Sequence, residues 1–132
     1  MLHITKVAVG CSDMAALKRR MEARDEGGLV AVDTRFRPTR ADGCVGGSLY
    51  WIVKHRLVAR QTVLGFRDGE DGRQRILVDA RVIPVRPRAK RAHQGWRYLQ
   101  PADAPADFEG DDDGLSALPP RLLLRLSALA LV

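Results

Sequence analysis

The sequence holds few cysteines, few aromatic residues and no long uncharged apolar run. Its 132 residues include two cysteines, Cys11 and Cys44, which stand far apart and outside any paired motif. This spacing excludes a disulfide framework and fits a reducing compartment, so we predict a cytoplasmic protein. The longest apolar stretch, 122–132, contains Arg125 and is too short to cross a bilayer, and the N-terminus lacks the pattern of a signal peptide. We therefore expect no membrane partner.

Signatures of metal binding and of catalysis are also missing. His3, His55 and His93 are scattered, and the acidic run 111–113 lacks the alternating ligands and the distal glutamate of a calcium loop. Ser48 follows two glycines but does not fit the Gly-x-Ser-x-Gly pattern, and no phosphate-binding loop or dinucleotide fingerprint occurs. We therefore predict no metal, no cofactor and no catalytic residue.

The sequence is rich in positively charged residues. The formal net charge is +6. Residues 1–100 carry 20 lysines and arginines against 10 acidic residues, whereas residues 101–132 carry 2 against 6. A basic body of this kind attracts polyanions such as nucleic acid. The alternative is that the charge serves only to keep the protein in solution.

The densest cationic segment, 86–98, contains no acidic residue and ends in a tryptophan and a tyrosine. Lysine and arginine release counterions from phosphates, while aromatic rings stack on bases. We expect Lys54, Arg60 and the run 88–97 to form one basic face. The predicted nucleic-acid-binding residues are Tyr50, Lys54, Arg56, Arg60, Arg88, Lys90, Arg91, Trp96, Arg97 and Tyr98.

Strand periodicity separates the roles of the aromatic residues around position 50. Trp51 shares a strand face with Leu49 and Val53, so we expect it in the core. Tyr50 falls on the opposite face and is the better candidate for stacking on a base. The alternative is that Trp51 and Trp96 both belong to the core and the cations form an ordinary solvated surface.

The hydrophobic pattern predicts an α+β fold. Met14, Leu17 and Met21 form one apolar stripe of a helix that begins at Ser12 or Asp13. Residues near 40–45 can form a helical turn. A series of strands with short turns favours a small mixed or antiparallel β-barrel-like sheet. The predicted strands span 2–9, 29–37, 48–55, 57–66, 74–85 (as one strand or as two pieces bent near Arg81) and 93–99.

The last part of the chain differs in composition from the rest. We divide the sequence into a basic barrel-like domain at 1–105, an acidic linker at 106–118 and a C-terminal amphipathic helix at 119–132. Two consecutive prolines suit the first turn of that helix. Its leucines form a wide apolar face that must be buried, and we expect it to pack on the same domain.

Several motifs carry a family resemblance. The motif Gly-Gly-Ser-Leu-Tyr-Trp begins at Gly46, and the motif Gln-Gly-Trp-Arg-Tyr-Leu begins at Gln94. Further matches lie at 1–10, 59–61 and 101–105. With these segments the chain resembles a bacterial family known only as a domain of unknown function, so the resemblance implies no activity.

A second resemblance concerns the fold. The Tyr-Trp-hydrophobic-hydrophobic-Lys strand at 50–54, the basic strand after it and the barrel-like order are similar to the pseudouridine-synthase-and-archaeosine-transglycosylase (PUA)-like superfamily, which includes the ASCH and EVE domains. That resemblance implies a small, partly open β-barrel with one or two helices. It also implies RNA or a modified base as the ligand, as in many members.

Together these observations predict a non-catalytic nucleic-acid-binding module, with RNA as the first choice of partner. An alternative from another class is a protein-interaction or homo-oligomerisation module that uses the leucine-rich C-terminal helix. A third is an enzyme acting on a nucleotide. Clustering of the cations on one concave face favours the first function, whereas an exposed final helix favours the second.

Overall fold

The computed structural model describes residues 2–108, and the structural statements below refer to that part of the chain. Strands and helices are mixed along the sequence, as the α+β prediction requires. In chain order they are β1 (His3–Val7), α1 (Met14–Arg24), β2 (Leu29–Thr34), α2 (Ala41–Cys44), β3 (Ser48–Val53), β4 (Arg56–Asp68), β5 (Gln74–Asp79), β6 (Ile83–Ala89), β7 (Trp96–Leu99) and a short 3-10 helix (Pro101–Asp103).

The first helix forms as its sequence predicts. Asp13 is the N-cap, and its Oδ1 accepts a hydrogen bond from the Ala16 backbone N–H at 2.8 Å. This bond satisfies one of the amides that the first helical turn leaves without a partner. Leu17 and Met21 are buried, and Met14 at the other end of the same stripe is half-buried. The stripe packs the helix on the core.

The strands form one open, mixed sheet. Six of its seven strands follow the order β2-β5-β4-β3-β1-β7, and the seventh, β6, pairs with β4 outside this order. β1 runs parallel to β3 and antiparallel to β7. A closed barrel needs a backbone ladder between the first and last strands of the order. No such ladder joins β2 to β7 in the described residues, so the sheet is not closed and this part of the prediction is corrected.

Side chains connect the two ends of the sheet where the backbone does not. The Trp96 indole N–H on β7 donates to the carbonyl oxygen of Phe36 at 2.8 Å. The backbone N–H of Arg40 donates to the Tyr98 hydroxyl at 2.9 Å. Both hydrogen bonds are made to residues 36–40, which follow β2. This segment is not a strand, so it does not form a backbone ladder with β7.

Both faces of the central strand β3 are covered, because all six of its residues are buried. Leu49, Trp51 and Val53 belong to the main core together with α1, which confirms the interior position of Trp51. Tyr50 and Ile52 alternate with them and therefore face the other side of the sheet. The side chains on both faces of β3 are therefore buried.

The described residues divide into two units, which are 2–83 with Pro87–Pro105, and Pro84–Arg86 with 106–108. In the described part of the second unit, Val85 bridges Asp107, and the Arg86 N–H donates to the carbonyl oxygen of Ala106 at 2.8 Å. The linker beyond Phe108 and the predicted C-terminal helix lie outside the described residues. Within residues 2–108 no helix is long and apolar enough to cross a membrane.

Candidate nucleic-acid interface

A tight turn between β3 and β4 presents the first group of cations. Lys54 and His55 have φ angles of 50° and 61°, as a two-residue hairpin turn with the strand twist requires. Lys54 and Arg56 are exposed. The backbone N–H of Lys90 donates to the carbonyl oxygen of His55 at 2.9 Å. Together with the pairing of β6 and β4, this bond places the turn against the second basic segment, which is remote in sequence.

The second basic segment follows β6 and continues into β7. Arg88, Arg91 and Arg97 are exposed, and Lys90 is half-buried. None of these cations, nor Lys54 or Arg56, forms an ion pair with a carboxylate among the described residues. The basic face, as we use the term below, consists of Lys54, Arg56, Arg88, Lys90, Arg91 and Arg97.

His93 lies among the charges of this segment. Its Nε2 is 2.8 Å from the hydroxyl oxygen of Thr5, which is fully buried on β1. Burial is the largest cause that lowers the pKa of His93, and the positive charges of Arg97, Lys90 and Lys6 lower it further. The hydrogen bond with the Gln94 carbonyl acts in the opposite direction. Three cations, Lys6, Lys90 and Arg97, therefore lie close enough to this ring to lower its pKa.

Arg60 is separated from the basic face. It pairs with Tyr50 on β3, while Arg97 pairs with Thr5 on β1. Two strands, β3 and β1, therefore lie between β4, which carries Arg60, and β7, which carries Arg97. The half-buried guanidinium of Arg60 donates from Nη1 to the Ser48 hydroxyl at 3.0 Å. The structure thus brings together most of the predicted cations but not this one.

The predicted aromatic residues do not share a surface with the cations. Tyr50 is 4% exposed, and its ring contacts His3 edge-on with centroids 5.3 Å apart, so it has no free ring face for a base. On β7, Trp96 and Tyr98 point to the opposite side from Arg97, because strand side chains alternate. Their rings contact each other at 4.8 Å. Tyr50 is therefore covered, and the rings of Trp96 and Tyr98 lie on the other side of β7 from the Arg97 guanidinium.

His3 has a neutral ring held by the start of β3. Its Nδ1 accepts a hydrogen bond from the Ser48 backbone N–H at 3.0 Å. Burial lowers the pKa of His3 from its ordinary value of 6.5, and the N-terminal amino group and Arg60 lower it further. A lowered pKa means that the unfolded chain binds the proton more readily than the folded chain does. The stability that His3 contributes is therefore present above pH 6.5 and is lost as the pH falls through the lowered pKa.

This sign leads to a pH prediction. The melting temperature should fall between about pH 7 and about pH 5. His3→Asn keeps an acceptor, Oδ1, in the position of Nδ1 but cannot be protonated, so it should make that fall smaller. His93 shifts in the same direction and should retain part of the acid sensitivity. Thermal melts of both proteins across this range provide the measurement, and identical slopes would contradict the assignment.

Two cavities at the edge of the sheet contain residues that the sequence did not single out. The larger, of about 590 Å³, is lined by Thr34, Arg35, Phe36, Gln94, Gly95 and Trp96. The smaller, of about 460 Å³, is lined by Lys6, Val7, Val9, Ala92, His93, Gln94 and Gly95. The sequence contained one indication of the smaller cavity. Lys6 shares a strand face with Ile4 and Ala8, which are buried, and a charged residue is unusual on such a face.

Comparison with known proteins gives a family but no activity. Within the described residues there is no group of three or more side chains that could hold a metal ion. No curated protein and no solved structure matches the chain. One family model, described as "Protein of unknown function (DUF1489)", matches residues 4–132. Because that match spans nearly the whole sequence, the chain belongs to the DUF1489 family, which confirms the expected membership of an uncharacterised family.

Proposed function

We propose that this protein binds single-stranded RNA through the basic face, without catalysing a reaction on it. The observation that carries the proposal is the hydrogen bond from the Lys90 N–H to the His55 carbonyl oxygen, at 2.9 Å. It holds the exposed turn of Lys54 and Arg56 beside Arg88 and Arg91. Cations grouped in this way provide several phosphate contacts within a short stretch of backbone.

The composition of the basic face defines the kind of binding. Its six members are all cations, and the aromatic rings of β7 lie on the other side of the strand. Phosphate contacts carry no sequence information, so the binding is tolerant of sequence and sensitive to salt. The likeness of the 50–54 strand to PUA-like domains supports RNA as the polyanion.

The test is the salt dependence of RNA binding. Fluorescence anisotropy with a labelled single-stranded RNA measures the affinity of the full chain at several salt concentrations. Changing Arg88, Lys90 and Arg91 together to alanine should flatten the slope of log affinity against log salt by roughly two units, at about 0.7 per phosphate contact. Affinity at low salt should fall together with the slope.

A matched variant separates the basic face from net charge. Lys18, Arg19 and Arg24 are exposed on α1, and their change to alanine removes the same number of charges. This variant should keep the wild-type slope, apart from a small general loss of affinity. Equal slopes in the two triple variants, or no binding of RNA by the wild type at low salt, would reject the proposal.

A further inference from the structure

The two cavities described above adjoin each other and differ in chemistry. Gln94 and Gly95 line both, so the chain between β6 and β7 forms their shared wall. Gly95 has a φ of 67°, a conformation that side chains disfavour, and it turns the backbone at this wall. A ligand of moderate size can therefore occupy both cavities at once.

The smaller cavity contains one cationic side chain, that of Lys6. Lys6 and His93 both line it. The Lys6 ammonium forms no ion pair or hydrogen bond within the described residues. Burial is the main cause that lowers the pKa of Lys6, and the charge of Arg73 lowers it further, against an opposing effect of Asp33. An anion placed beside this ammonium would offset the cost of burying it.

The larger cavity is lined by two aromatic residues, Phe36 and Trp96, beside Arg35. Phe36 is 68% exposed, the second highest value among the large exposed hydrophobic side chains of the described chain. Trp96 lines the same cavity, and its indole N–H is held by the Phe36 carbonyl oxygen, so the two residues are fixed relative to each other. Val9, 73% exposed, lies on the smaller cavity. Apolar side chains exposed beside a concave surface are typical of ligand sites.

One residue that lines the larger cavity has a buried polar atom without a partner. Thr34 lines it and is 3% exposed, and its Oγ1 has no hydrogen-bond partner among the described residues. Gln74, the cross-strand neighbour of Thr34 on β5, has an equally unpartnered Oε1. Buried polar atoms are seldom left without a hydrogen bond in a native protein. The position of Thr34 suits a ligand with a polar substituent on its ring.

We propose that the two cavities form one binding site for a small aromatic anion. Its carboxylate or phosphate lies against the Lys6 ammonium, and its ring lies against Phe36 and Trp96. The basic face is made of other residues, so this site is independent of RNA binding. Failure of either proposal leaves the other intact.

The experiment uses 1-naphthyl phosphate as the probe and NMR of the full chain as the readout. The protein has two tryptophans, so its ¹⁵N–¹H spectrum contains two indole signals. The Trp96 indole and the Gly95 amide should shift in a saturable way, while the buried Trp51 indole stays unchanged and serves as the internal control. Inorganic phosphate has only the anionic group and 1-naphthol has only the aromatic ring. Each should bind at least about tenfold more weakly than 1-naphthyl phosphate. 1-Naphthoate then shows whether the site accepts a carboxylate as well as a phosphate.

Substitutions at each cavity separate the two halves of the site. Lys6→Met should lower the affinity for 1-naphthyl phosphate about tenfold and leave that for 1-naphthol unchanged. Lys6→Gln is a second variant with the same expectation, should the first fail to fold. Phe36→Ser should weaken both organic ligands. Leu64→Ser, which alters an apolar side chain 46% exposed on β4, is the control and should weaken neither.

Three results would overturn the proposal. One is an unchanged affinity for 1-naphthyl phosphate in both Lys6 variants. Another is equal binding of 1-naphthol and 1-naphthyl phosphate by the wild type. The third is a set of shifts confined to Lys54, Arg56 and residues 88–91, since this would show that the probe follows positive charge rather than the cavities.

Discussion

Replacing Gly47 with alanine is expected to lower the free energy of unfolding by about 3 kcal/mol. A Cβ at this position would clash with the carbonyl oxygen of Leu2 and lie 3.1 Å from that of Cys44. Both neighbours are backbone atoms of hydrogen-bonded segments: the Leu2 N–H donates to the Gly43 carbonyl, and the Gly47 N–H donates to the Cys44 carbonyl. No flexible side chain can move aside to relieve the contact. Thermal unfolding should show a drop of roughly 10 °C.

Gly43→Ala is the matched control for this prediction. It adds the same methyl group in α2, where a Cβ meets nothing within 4 Å. Alanine is also the better helix former, so the melting temperature should stay the same or rise slightly. A Gly47→Ala protein as stable as the Gly43→Ala protein would contradict the close approach of β1 to the start of β3.

Replacing Gln61 with methionine is expected to cost about 2–3 kcal/mol, although the two side chains are similar in length and volume. Gln61 is fully buried. Its Oε1 accepts a hydrogen bond from the Trp51 indole N–H at 2.8 Å, and its Nε2 donates to the Asp79 carbonyl oxygen at 3.0 Å. Methionine makes neither bond and leaves the indole N–H buried without an acceptor. Urea unfolding should show a lower midpoint with an unchanged m-value.

A double-mutant cycle identifies the source of that loss. Trp51→Phe removes the indole N–H and destabilises the core by itself, because it leaves a smaller ring in a packed site. Adding Gln61→Met to it should cost about 1–2 kcal/mol less than the same change in the wild type, since the unpaired donor is already gone. Strict additivity of the two changes would show that the hydrogen bond is not what Gln61 contributes.

Local periodicity accounts for the elements that the sequence predicts correctly. The stripe of Met14, Leu17 and Met21 needs only the helical repeat, and the Asp13 cap needs only a short side chain next to it. The break near Arg81 separates β5 from β6 as one of the two expected forms of the 74–85 segment. Such features depend on residues within one or two turns of each other.

The arrangement of the site depends on contacts that are remote in sequence. The sequence predicts cations at Lys54 and at 88–91, but their proximity depends on the pairing of β6 with β4 and on the bond from the Lys90 N–H to the His55 carbonyl oxygen. Tyr50 follows the strand alternation as expected, yet its face is covered. Thr5 on that face is also buried and contacts His93. Alternation shows which residues share a face, but it does not show what covers the face.

The sequence by itself determined the α+β class, the interior position of Trp51, the positive charge of the body and the membership of an uncharacterised family. Tertiary structure alone decided that the sheet stays open and that Lys6 lines a cavity. It also decided that the side chains of Trp96 and Tyr98 form hydrogen bonds with the segment after β2. The physical reason is that periodicity and composition are local properties of a chain. Sheet order, strand register and the packing of loops on a sheet result from long-range contacts. The local sequence around one residue of such a contact does not indicate which remote residue it will meet.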